Sequence, residues 1–196
     1  MAVKKQRAGE VRPGGRTRTT QNTVATSVLN LIKEGNFHFS YSELAALSGV
    51  HQTTLYRRWP TRTDLIREAI KIHNQGFTIK NSNNWEENAE AIVRGLADFL
   101  SQPVEIAINR ALLANPQSAE TLVTVEYWEP IQAILYDLVI EAQQSGELPD
   151  DIDPSALITT LASPLIIDTA LTTTAKNREK LIINLIKIAR LYGKNC

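Results

Sequence analysis

Cysteine is almost absent from this sequence: the single one, Cys196, is its final residue. One thiol excludes an intrachain disulfide and a metal cluster resting on thiolates. Histidine offers no substitute. His38 and His73 lack a ligand-spaced partner and are expected at solvent or at helix ends, while His51 is open between a helix cap and a backbone contact. No metal and no cofactor are expected. Long apolar runs are missing too: none approaches the roughly 18 residues of a membrane span. The basic opening MAVKKQRAGEVRPGGRTR has no apolar signal core. A cytoplasmic location away from membranes is therefore expected. No Ser/His/Asp set, phosphate loop or suitably placed carboxylate pair stands out, so no enzyme is expected. Alternating strand patterns and repeats of about 20–50 residues are also missing, which leaves an all-α fold.

What is present is ordinary in amount and uneven in placement. A hydrophobic share of 43% with 21% charged residues excludes wholesale disorder. The formal net charge of zero hides an asymmetry. Residues 1–72 hold 12 Lys/Arg against 5 Asp/Glu, a net of +7, and residues 73–196 hold 9 against 16, a net of −7. A polyanion is drawn to the first part and repelled by the second.

Residues 1–18, with Arg12, Arg16 and Arg18 beside Pro13, Gly14 and Gly15, read as a flexible basic arm, a merely solvated tail being the alternative for the first ten. From Thr20 a helix is expected on the stripe Val24, Ala25, Val28, Leu31 and Ile32, stopped by Gly35. Ser40-Tyr41-Ser42-Glu43 is a capping box opening a second helix that ends at Gly49. A third covers roughly 51–58 and stops before Pro60. A fourth is capped by Thr61, with Asp64 at its third position, and runs to about Phe77. Asn84 caps the next, and further helices are expected at 103–114, 117–145, 154–173 and 178–192. Pro130 and Pro164 should break or kink theirs.

Two short helices joined by a glycine turn, the second one polar, make a helix-turn-helix. Ala45 is small where the helices cross, and Gly49 accepts the left-handed turn. Val50, Leu55 and Trp59 pin the polar helix, Trp59 being read as core rather than as a base stacker. The opposite face is left for a DNA major groove. There Gln52 can pair with adenine, Arg57 or Arg58 with guanine, and the Thr54 methyl can touch thymine. Tyr56 and the hydroxyls suit phosphate oxygens.

The stretch YSELAALSGVHQTTLYRRWPTRTDLI, residues 41–66, resembles the TetR/AcrR family of bacterial transcriptional regulators. The resemblance implies that Gln52, Thr53, Thr54 and Arg57 approach bases, and that Tyr56 and Arg62 grip phosphates. It also implies backbone contacts from Tyr41 and Ser42, and a minor-groove role for the arm that carries Arg16 and Arg18. His51 stands where many members have Ser, and Thr53 where Gly or Pro is common. SGELPDDIDPSALITTLASPLIIDTAL, residues 145–171, resembles a recurring AcrR-type C-terminal segment.

The implied organisation is a basic arm at 1–18, a helix-turn-helix DNA-binding domain at 19–72 and a helical ligand-binding and dimerisation domain at 73–196. Residues 181–191, LIINLIKIARL, are apolar nearly all round, and 156–171 are similarly rich. Helices at about 154–173 and 178–192 are therefore expected to pair two subunits in a four-helix bundle, with a thick-cored monomer as the alternative. Candidate ligand contacts are Phe99, Asn109, Tyr127, Trp128 and Asp168; each can equally be ordinary core or surface, and Asp168 an interface residue. The function expected is a homodimeric, effector-released repressor on a palindromic operator of double-stranded DNA. A regulator without a small-molecule effector and an activator remain the alternatives.

Overall fold

The computed structural model describes residues 15–118, 123, 125, 126, 128–171 and 177–193. Among them every regular element is a helix: α1 (Gly15–Lys33), α2 (Tyr41–Ser48), α3 (Gln52–Arg58), α4 (Arg62–Asn74), α5 (Trp85–Leu100), α6 (Pro103–Ala114), α7 (Glu129–Gln144), α8 (Pro154–Leu171) and α9 (Arg178–Leu191).

The ends follow local chemistry. Ser40 and Glu43 close the capping box of α2, and Thr61 with Asp64 closes one on α4. Asn84 caps α5 by accepting from the Glu87 amide. Gly35, Gly49 and Gly146 take positive φ after α1, α2 and α7. Four helices depart from expectation, α7 among them: residues 117 and 118 stand in a turn where a helix is expected to begin, and α7 starts at Glu129. α1 starts at Gly15, so residues 15–18 of the expected arm are helical; the rest of that arm lies outside the described residues. Apolar periodicity misses this first turn because its sequence, GRTR, holds no apolar residue, yet no proline interrupts it and a nucleated helix extends at low cost. α4 stops at Asn74 instead of Phe77. α8 runs unbroken through Pro164 and packs against α5, α6, α7 and α9, which hold the helix where its ladder loses one bond. Pro130 does act as a boundary: it sits in the first turn of α7, where its missing N–H costs nothing.

α8 also corrects the reading of apolar runs. Its 18 residues have a mean hydropathy of 1.3, long and apolar enough to cross a membrane by length and composition. Here it serves as a core helix, with Leu157, Ile158, Leu161, Ala162 and Leu165 buried.

Two cores form. The first gathers Val24, Val28 and Ile32 of α1 with Leu44, Leu55, Trp59, Leu65 and Ile66. The second gathers α5 and α7 to α9 around Leu96, Leu135, Leu161 and Leu185. α6 joins them: Ile108 is buried in the first core with Val104 and Ala107 packed beside it, while Arg110 donates from Nε to the Ala170 carbonyl of α8 at 3.0 Å.

Candidate nucleic-acid interface

The turn between α2 and α3 is built by Gly49 at φ 67° and ψ 11°, whose amide donates to the Ala45 carbonyl at 3.0 Å. An L side chain is strained at that φ, which makes glycine the residue of choice. Ser48 bonds back to Leu44 at 2.7 Å, and Leu55 is fully buried, so α3 is held against α2 by its apolar side.

At about 100° per residue, Thr53 and Arg57 lie opposite Leu55 and Trp59 and face outward. Gln52, Thr53, Tyr56 and Arg57 are exposed, and Thr54 and Arg58 are half-buried. The two arginines part company. Arg58 swings back, with its guanidinium carbon 5.9 Å from the centroid of the Trp59 ring, and lines a cleft with Gln21, Asp64 and Arg67. Arg57 alone projects from the outer face. His51 precedes α3 and makes no side-chain cap bond, which removes the capping reading.

Tyr41, taken from sequence as a backbone contact, has its hydroxyl committed elsewhere. It donates to the Trp59 carbonyl at 2.6 Å, and its ring stacks on Tyr56 with centroids 3.9 Å apart and planes 16° apart. Burial, then the neighbouring Tyr56 and Asp64, holds the Tyr41 hydroxyl above the ordinary tyrosine range. That proton is given to the Trp59 carbonyl. Ser42 is exposed in the first turn of α2, and Arg62 is half-buried in the first turn of α4. Arg18 is exposed on α1; the Arg16 side chain lies outside the described residues.

The ligand candidates do not all gather at one place. Phe99 is buried between His73 (5.3 Å, tilted) and Phe77 (5.1 Å, edge-on). Asn109 is 7% exposed, and its Nδ2 is buried with no hydrogen-bond partner among the described residues. Trp128 packs against the second core, and Tyr127 lies outside the described residues. Asp168 is bound within the chain: it accepts from Arg178 Nε at 2.9 Å, and Arg178 Nη1 donates to Ser101 Oγ at 2.9 Å. Its carboxylate ties α8 to Arg178 of α9, and the Arg178 guanidinium reaches on to Ser101 at the end of α5.

Sequence reasoning missed one buried pair. His73, expected at solvent or at a helix end, does sit in the last turn of α4, but with Nε2 3.0 Å from Oε1 of Glu105 on α6 and the side chains 11% and 9% exposed. The signal was Glu105 and Asn109, spaced by four on a helix whose only other charged residue is Arg110. No group of three or more His, Cys, Asp or Glu suited to a metal occurs among the described residues.

Known proteins share this architecture. Residues 80–187 match the family model described as Tetracyclin repressor-like, C-terminal domain. Over 63 residues the chain is 36% identical to the DNA-binding transcriptional repressor TetR of Mycobacteroides abscessus, a match spanning 32% of this chain and 33% of that protein. Over 146 residues it is 24% identical to the HTH-type transcriptional regulator AqdR of Rhodococcus erythropolis, covering 74% of this chain and 70% of that one. The fold superposes on the crystal structure of a TetR transcriptional regulator from Agrobacterium tumefaciens with a TM-score of 0.71 at 20% identity, across 90% of this chain and 96% of the other. With more than half its length matched by that family model and a helix-turn-helix ahead of the matched part, the chain belongs to the TetR family of DNA-binding transcriptional regulators.

Proposed function

We propose that this regulator is a cytoplasmic homodimer that represses transcription from a palindromic operator and is released by a small-molecule effector. The observation that carries the reading is the outward polar face of α3, borne by the positively charged end of the chain and tied through α4 to a buried polar contact on α6. Gln52, Thr53, Thr54 and Arg57 meet base edges, while Tyr56, Ser42, Arg62 and Arg18 meet phosphates. Arg58 braces α3 against Trp59 instead.

The apolar side chains that α8 and α9 leave exposed support pairing: Ile167, Leu171, Ile183, Ile188 and Leu191. Two such helices per subunit build a four-helix bundle and set the spacing of two reading heads. The domains proposed are a basic arm to residue 18, a reading head to residue 72 and a sensing and pairing domain from residue 73.

The effector site is the buried string of Phe99, His73, Glu105 and Asn109. It is reached from a cleft of about 350 Å³ lined by Phe77, Ile131, Ile134 and Lys71. Phe77 joins the two, since its ring meets Phe99. A ligand there favours a position of α4 in which the heads no longer fit successive major grooves, a population shift.

Fluorescence anisotropy with duplexes from the chain's own upstream region tests operator binding. An anisotropy rise on no duplex at low ionic strength would overturn the reading. Thermal shift against a metabolite library tests the effector, since a ligand at a hundredfold excess over its Kd stabilises by about 2.7 kcal/mol. Asn109→Leu should abolish that shift while leaving DNA affinity intact.

A further inference from the structure

We propose that Tyr41 is a positioning residue for DNA binding: it touches no DNA itself and holds Tyr56 and the end of α3 in the geometry that grips the backbone. The inference rests on the reading of Tyr56 as a phosphate contact and goes beyond it.

Tyr41 is the first residue of α2, and its place is fixed from both sides of the cap. The Glu43 amide donates to Ser40 Oγ at 3.1 Å, and the Ser40 amide donates to Glu43 Oε2 at 3.4 Å. From that anchored base the ring lies against the first core, and the hydroxyl crosses to α3. It donates to the Trp59 carbonyl, which stands at the C-terminal end of α3 just before Pro60. Carbonyls at a helix C-terminus have lost their in-helix donors, and Pro60 brings no N–H of its own. A bond from 18 residues away therefore fastens the reading helix where local structure cannot.

The second contact is the stack. Tyr56 is 50% exposed, and an exposed aromatic side chain is otherwise free to change rotamer. The parallel face of Tyr41 restricts it to one orientation before DNA arrives, so less ordering remains when a phosphate is bound. The upward displacement of the Tyr41 pKa keeps its hydroxyl a donor, consistent with this role.

A binding cycle on a mixed-sequence duplex at low ionic strength tests this, with urea melts confirming that each variant is folded. Tyr56→Phe should weaken binding in the native background and add little in Tyr41→Leu, which itself loses about three- to tenfold in affinity. Tyr41→Phe keeps the ring, so the Tyr56→Phe loss should return in that background. Should Tyr41→Leu fail to fold, Tyr41→Met replaces it, filling the space without a flat face. Losses that simply multiply would overturn the positioning role while leaving Tyr56 as a contact. A Tyr56→Phe variant that binds like the native chain would overturn the contact reading, and the proposal with it.

Discussion

Nε2 of His73, in the last turn of α4, lies 3.0 Å from Oε1 of Glu105 on α6, and solvent barely reaches either group. The helix that carries the reading head thus meets α6 through one polar contact set among Phe99, Phe77 and apolar neighbours. Removing one partner strands the other. Glu105→Ala should cost about 1–3 kcal/mol in urea denaturation. His73→Phe combined with Glu105→Met should recover most of that loss, because neither buried group is then left unsatisfied. Equal destabilisation in the single and double variants would show that the pair contributes nothing.

Arg57 and Arg58 are adjacent in sequence but differ in direction, so their variants should differ in kind. Arg57→Ala should weaken binding to the preferred operator by about 1–3 kcal/mol and flatten its preference at one base pair. Arg58→Ala should change operator preference little and lower stability slightly by freeing Trp59. Gln52→Ala should relax base preference. Anisotropy titrations across operator variants at one salt concentration separate these cases.

The cap of α4 predicts an acid response. Asp64 accepts from Thr61 Oγ1 at 2.7 Å and from the Thr61 amide at 3.0 Å, and it pairs with Arg67 Nη1 at 2.9 Å. Chiefly through the Thr61 bond, its carboxyl is held below the ordinary aspartate value. A depressed folded pKa gives a contribution that is present above the ordinary value of about 3.9 and lost as pH falls through the folded value. Thr61→Ala should cost about 1 kcal/mol at neutral pH. Asp64→Asn should remove this group's share of the acid loss seen in urea midpoints between about pH 5 and pH 2.

The outer faces of α8 and α9 predict the assembly. Ile167 and Leu171 are 47% and 66% exposed, one turn apart on α8. Ile167→Asp should convert the proposed dimer to a folded monomer in light scattering, because a charge there must be desolvated to pair. The monomer should also lose affinity for a two-half-site operator far more than for a single half-site. A dimer that persists with Asp at this position would place the interface elsewhere.

The helix-turn-helix was legible because its signals are local. Ser40 with Glu43, Gly49, and Thr61 with Asp64 act across three or four residues, within reach of a hydrogen bond set by the chain itself. The first turn of α1 was not legible, since Gly15 to Thr19 carry no apolar stripe. The bond between Asp168 and Arg178 was not legible either, because the two stand on different helices and no periodicity pairs them. Glu105 was overlooked because a carboxylate in an apolar helix looks like surface until its buried partner is known.

By itself, the sequence determined the helical fold, the caps of α2, α4 and α5, the glycine stops, the polar third helix and the split of charge between the two ends, all consequences of residue type and spacing along one strand of chain. Only the tertiary structure decided that Tyr41 serves α3, that Arg58 turns inward, that His73 meets Glu105 and that α6 packs into the first core. Those outcomes depend on which helix faces lie within a few ångströms after packing, and on rotamers chosen by neighbours distant in sequence.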